Sequence, residues 1–260
     1  MRNRVGLLAV ALTFTIGTQA FALDEFNLTN SALPDEQVSD LLRTVAIGAD
    51  HRAYMPASSI GLLGFDLGLD VTAISVPTDF VTAMSAASGS DASAIPGTIP
   101  VPKLSFHKGL PGGVDFGFSY ATSKLAGAAD GLFSMWGLDL KYSILSGLGP
   151  LPAVAVRFNM SSSDLWFLST NTYALDAIVS KNLYLIDPYA GAGLKYWSGE
   201  LKVPVELAGA STTLSSSHSS MNPHIFVGIP LKLMFLRITA EADYNLAGIT
   251  TYGAKVSLGF

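Results

Sequence analysis

The stretch WGLDLKYSI, residues 136–144, decides the fold. Trp136, Leu138, Leu140, Tyr142 and Ile144 alternate with Gly137, Asp139, Lys141 and Ser143. A period of two puts the first set on one face of a β-strand and the second on the other. One face is then wholly apolar and aromatic, while the other holds a glycine, a serine and two opposite charges. A water-soluble sandwich alternates too. Its polar face, however, is dense in lysine and glutamate.

The same pattern recurs on both sides. Upstream, Phe65, Leu67, Leu69 and Val71 alternate with Asp66, Gly68, Asp70 and Thr72. Leu104 and Phe106 alternate with Lys103, Ser105 and His107, and Val114, Phe116, Phe118 and Tyr120 with Asp115, Gly117 and Ser119. Downstream, Val154, Val156 and Phe158 alternate with Ala155, Arg157 and Asn159, and Tyr173, Leu175, Ala177 and Val179 turn away from Asp176. Residues 184–198 continue to Lys195 and Trp197, and Ile225, Val227 and Ile229 follow. Leu236, Ile238, Ala240, Ala242 and Tyr244 then interleave with Arg237, Thr239, Glu241 and Asp243. With the last row, Tyr252, Ala254, Val256, Leu258 and Phe260, the pattern predicts ten strands. Segments 77–99, 122–130, 161–168, 199–219 and 246–249 read as the longer loops. Segments 110–113, 146–150, 181–183 and 231–234 read as tight turns, the alternation of connections found in membrane barrels.

Composition agrees. Hydrophobic residues make up 49% of the 260 and charged ones only 13%, about half the ~25% of soluble domains. Yet no stretch after residue 22 has the ~20 consecutive apolar residues of a membrane helix. Strands that are apolar outside and polar inside reconcile the two facts. Aromatics near strand ends (Tyr120, Trp136, Phe158, Tyr196, Tyr244) read as interfacial girdles.

Residues 1–22 read as a signal peptide, with Arg2 and Arg4, an apolar run from Val5 to Ile16 and the small-residue site Ala20-Phe21-Ala22. Loss of Arg2 and Arg4 leaves 13 basic against 20 acidic residues, a net −7, which argues against nucleic acid as a partner. There is no cysteine, so thiolate metal sites and disulfides are excluded. Residues 23–59 read as an extended lead and a helix. Pro34-Asp35-Glu36 opens the helix, and Val38, Leu41, Leu42, Val45 and Ala49 share one face. That helix either packs in or under the barrel as a plug or lies in the periplasm against a partner. As a plug, it would bring Arg43, Asp50, His51 and Arg52 to the lumen charges. Residues 60–260 form the barrel.

The chain ends in YGAKVSLGF, 252–260, with apolar residues at alternate positions back from Phe260. Tyr252, Val256, Leu258 and Phe260 thus resemble the assembly signal of bacterial outer-membrane barrels. With PASSIGLLGFDLGLDVTA (56–73), VPKLSFHKGLPGGVDFGFSY (101–120) and the N-terminal helix, the mature chain resembles a family of functionally uncharacterised bacterial outer-membrane barrel proteins. The resemblance implies an all-β, antiparallel transmembrane β-barrel of about ten strands with a short N-terminal helix, in the outer membrane of a Gram-negative envelope. It implies no activity.

The candidate site is the lumen. Asp66, Asp70, Asp115, Asp139, Asp176, Glu241 and Asp243 face Lys103, Lys141, Arg157, Lys195, Arg237 and Lys255, with His107 among them. Charges so balanced can cross-link a narrow barrel or line a conduit. Three readings follow: a non-catalytic barrel with a narrow, charge-filled lumen; a porin-like narrow transporter for small or apolar solutes, plugged by the helix; and a surface hydrolase acting on lipid or peptide. The third rests on His218 in the serine-rich SSSHSS (215–220). No two histidines share ligand spacing, so neither metal nor other cofactor is expected. The expected partners are outer-membrane lipids, the barrel-assembly machinery and, in the conduit reading, a small-molecule solute.

Overall fold

Ten alternating strands can form two sheets or close on themselves, and only their pairing decides. The computed structural model describes residues 35–75, 78, 98–124, 133–147, 149–165, 168–207 and 210–260. In it, β1 (Phe65–Ser75) pairs antiparallel with β2 (Thr98–Leu110) on one edge and with β10 (Ile249–Gly259) on the other. Between them run β3 (Val114–Thr122), β4 (Phe133–Ser146), β5 (Ala153–Leu165), β6 (Leu168–Ser180), β7 (Tyr189–Leu207), β8 (Ala210–Leu233) and β9 (Leu236–Asn245), each hydrogen-bonded to its chain neighbours. The result is a closed antiparallel barrel without a free edge. The seam is fixed at its tip. Phe65 and Phe260 exchange backbone hydrogen bonds of 3.2 Å in each direction, and their rings meet edge to face at 4.8 Å.

The faces are the reverse of a soluble protein's. Leu67 and Leu140 are 53% and 50% exposed on the outer face, while Asp66 and Lys141 are at 0% and 1% inside. An outer face this continuously apolar is tenable in lipid and not in water, so the chain is a membrane barrel. Cross-strand pairs Tyr120–Trp136 and Tyr173–Tyr196 stand on that outer face. No helix among the described residues is long and apolar enough to cross a membrane.

One helix, α1 (Asp35–Gly48), precedes the strands. Asp35 and Glu36 sit in its first turn, at the positive end of the dipole. Val38, Leu41, Leu42, Ala46 and Ile47 are buried against Leu168, Trp197 and Leu201. Trp197 and its neighbours point inward, so the helix lies inside the barrel mouth where β5 meets β6 and β9 meets β10. From Ala49 the chain runs on as an irregular strap through the lumen. Tyr54 reaches Thr72 of β1, Ala57 reaches Ser180 of β6, and Gly64 reaches the end at Phe260. Of the two expected placements of the helix, the structure adopts the one within the barrel.

Three boundaries differ from the sequence reading. Segment 199–219 is not a loop: β7 and β8 stay paired from Tyr189–Gly228 to Leu207–Ala210. Beyond the bilayer the outer face needs no apolar row, so the serine-rich strand carries no hydrophobic period. Segment 161–168 is likewise mostly strand, with Leu165 paired to Leu168. Finally, β7 begins at Tyr189 rather than at 184, because residues 183–186 form a small turn bridged to Leu231. The expected signal peptide and lead, 1–34, and most of the expected loops 77–99 and 122–130 lie outside the described residues.

Candidate functional site

An extended chain inside a barrel has no partner strand, so its carbonyls need donors from elsewhere. Lysines of the wall supply them. Lys103 Nζ donates to the Ala49 carbonyl at 3.1 Å and also to that of Asp50. Lys255 Nζ donates to the Ala53 carbonyl at 3.3 Å. Lys141 Nζ donates to the carbonyls of Pro56 and Ser58 at 2.7 and 2.9 Å and pairs with Asp115 at 2.9 Å. Ser143 and Thr172 hydroxyls donate to the carbonyls of Ala57 (2.7 Å) and Ala46 (3.0 Å).

The strap's own side chains complete the network. Asp50 accepts from Lys195 at 2.5 Å and from Arg52 at 3.0 Å. Arg52 also donates to Thr251 and lies 3.9 Å from Asp243. His51 contacts Ser119 through Nδ1 at 2.6 Å and Asp139 through Nε2 at 2.5 Å. Ser59 donates to Asp115 at 2.7 Å. Close approach is possible because the wall is bare at two points. A Cβ on Gly137 would fall 2.4 Å from His51 Cβ, and one on Gly253 would fall 2.1 Å from the Tyr54 hydroxyl.

All fourteen predicted lumen residues face inward. Thirteen are buried and Arg237 is partly so. Arg157 grips Asp176 through Nε and Nη2 at 3.0 and 2.7 Å and stands over the Phe226 ring at 5.2 Å. Arg237 and Lys255 share Asp66, at 3.0 and 2.6 Å. Lys195 reaches Asp243 at 3.5 Å, and Glu241 accepts from the Tyr189 hydroxyl at 2.5 Å. His107 contacts Asp139 at 3.1 Å. Asp70 is buried on β1, opposite Lys103 and Lys255 in the two ladders and beside Ser105. The predicted terminal residues Tyr252, Val256, Leu258 and Phe260 all face outward.

Two expectations change. Arg43 does not reach the lumen charges; it pairs with Asp40 one turn back on its own helix, at 2.6 Å. Ligand spacing in the chain offered no histidine cluster, yet the fold brings His51, His107 and Asp139 together, with donor atoms within 4.8 Å of one another. The sequence reading also missed His224, which bridges Asp176 and Asp243 at 2.9 and 3.0 Å. Its signal was present: His224 has the inward parity, one residue before Ile225.

His218 meets Ser216 at 3.2 Å and Asp35 at 3.1 Å, but both contacts fall on Nε2. A relay needs the hydroxyl and the acid on opposite ring nitrogens, so this cluster is not arranged as one. The lumen, in contrast, is filled. Trp197, Tyr54, Lys141, Lys195, Phe226 and Lys255 are its largest fully buried side chains.

Residues 26–260 match DUF6588, a family of unknown function. No curated protein matches. Among solved structures, the N-terminal β-barrel domain of Pseudomonas aeruginosa OprF is 12% identical with a TM-score of 0.33, covering 74% of this chain and 97% of that one. The KdgM porin is 9% identical with a TM-score of 0.38, covering 76% and 99%. Neisserial surface protein A is 13% identical with a TM-score of 0.29, covering 75% and 97%.

Proposed function

We propose that this chain, which belongs to the DUF6588 family, is a non-catalytic outer-membrane barrel whose lumen is held shut by its own N-terminal strap. The location rests on the lipid-compatible outer face, the expected export leader and the closing aromatic strand at Phe260. Tyr252, Val256, Leu258 and Phe260 are then the segment that the barrel-assembly machinery reads. The closed lumen rests on one observation above all: wall lysines 103, 141 and 255 hold successive strap carbonyls from Ala49 to Ser58. A ten-stranded barrel is close in width to the eight-stranded type that side chains alone can fill. A strap inside it leaves little room for solutes.

A second reading, a gated conduit for a small polar solute, is favoured by the polar atoms left over. Arg157 Nη1, Asn159 Oδ1 and Asp243 Oδ1 are buried without a hydrogen-bond partner. They are groups a solute could use if the strap shifted. Conductance across a planar lipid bilayer separates the two readings. The sealed barrel predicts no steady single-channel current from the purified parent. A reproducible open state in the parent would put the gated conduit first.

A further inference from the structure

We propose that His51, His107 and Asp139 form a binding site for one divalent transition-metal ion, and that this ion latches the strap to the barrel wall. The three residues come from three separate elements: His51 from the strap, His107 from β2 and Asp139 from β4. Their donor atoms converge. Both Nε2 atoms point at the same carboxylate oxygen, at 2.5 Å from His51 and 3.1 Å from His107, and all three side chains are at most 1% exposed. Two imidazoles and one carboxylate are a donor set for zinc and its neighbours, with a further coordination position open.

The wall is shaped for this convergence. A Cβ on Gly117 would lie 2.0 Å from Asp139 Oδ1 and 2.4 Å from the His107 ring. Glycine at 117 therefore lets His107 and Asp139 turn towards each other, as Gly137 admits His51. The outer contacts suit a ligand role as well. Metal-bearing histidines donate their other ring N–H to an oxygen. His51 Nδ1 has the Ser119 hydroxyl at 2.6 Å for that purpose.

His107 Nδ1 now faces Lys255 Nζ at 3.3 Å. In the β1–β10 register Lys255 stands opposite Asp70, and in the β1–β2 register His107 stands opposite Asp66. Asp70 is buried beside Ser105. Metal on His107 Nε2 puts the ring proton on Nδ1. Lys255 then withdraws from Nδ1 while keeping Asp66, at 2.6 Å, and the Ala53 carbonyl, at 3.3 Å. Donor atoms around zinc sit at about 2.0–2.1 Å from the ion. His51 and Asp139 must therefore separate slightly to admit it, a motion of the strap and not of the wall.

The test uses the full-length mature protein, without a histidine tag. It is refolded into detergent with either Co2+ or a chelator and freed of loose metal by gel filtration. The proposal predicts one Co2+ per chain with visible ligand-field absorption, displaced by Zn2+. It predicts loss of that ion in His51→Gln and His107→Gln barrels that still show heat-modifiable migration. Ser119→Ala keeps all three ligands and removes only the hydrogen bond to His51. Its affinity should fall about tenfold, which keeps the test open if a glutamine variant fails to fold. Absence of stoichiometric Co2+ in the parent, or unchanged affinity in Ser119→Ala together with retained metal in the folded glutamine variants, overturns the proposal.

Discussion

The N-terminal segment enters the barrel as a helix and leaves it as an extended strap, and the wall answers each half differently. Around α1 the inward residues are Leu168, Trp197 and Leu201. Around residues 49–60 the groups that bond the strap are Lys103, Lys141, Lys195, Lys255, Asp115 and Asp139, with apolar side chains beside Ala49 and Ala57. The reason is backbone chemistry. A helix satisfies its own N–H and C=O groups, so an apolar lining suffices. An extended segment without a partner strand presents orphan carbonyls, and leaving them buried and unmade is expensive. Charged residues of the lumen therefore gather where the strap is extended and its carbonyls lack a partner strand, while the helix is met by the apolar cluster of Trp197, with a wall hydroxyl on its Ala46 carbonyl.

Substitutions on the two sides should separate these supports. The largest effect is expected at Lys141, which holds two strap carbonyls and Asp115 at once. Lys141→Met leaves a buried carboxylate without its cation, a loss of ~3–5 kcal/mol where no water relieves it. Urea unfolding of the purified barrel should show the drop, and bilayer recordings should show brief currents absent from the parent. A smaller loss is expected in the helical half. Leu42→Ala removes a fully buried side chain packed in the Trp197 cluster and should cost about 3 kcal/mol with no new current. Current from Leu42→Ala as large as that from Lys141→Met would erase the distinction between the halves. The smallest effect belongs to the outer wall. Leu140, half exposed to lipid, should tolerate alanine at about 1 kcal/mol or less, with unfolding and conductance close to the parent's.

The wall was legible in the sequence and the strap was not, for one reason. Strands that separate lipid from a polar lumen must alternate, so WGLDLKYSI already shows which face Asp139 and Lys141 take. Residues 49–60, ADHRAYMPASSI, touch the wall on every side and show no period at all. Asp50, His51 and Arg52 could be recognised as able to reach the lumen, but nothing local distinguished that placement from the periplasm. Long-range pairing decided it: His51 with Asp139 and Lys195 with Asp50. The β7–β8 hairpin beyond Ser198 failed for the opposite cause. Its β7 arm does alternate, with Leu201, Val203, Val205 and Leu207 set against Lys202, Pro204 and Glu206. Leu201, however, faces inward against the helix, so the row has the opposite parity to the lipid-facing rows, and the serine-rich β8 arm has no row to match it.

Whether the strap truly threads the barrel can be measured by a single cross-link. The Thr172 hydroxyl, in the half of β6 far from the start of β1, donates to the Ala46 carbonyl of α1 at 3.0 Å, and the chain contains no cysteine of its own. Ala46→Cys combined with Thr172→Cys therefore introduces the only two thiols. Threading predicts that they oxidise to an intramolecular disulfide in assembled, heat-modifiable barrels, seen as a shift in non-reducing electrophoresis that reductant abolishes. Two free thiols in such barrels, both open to a water-soluble maleimide, would contradict it.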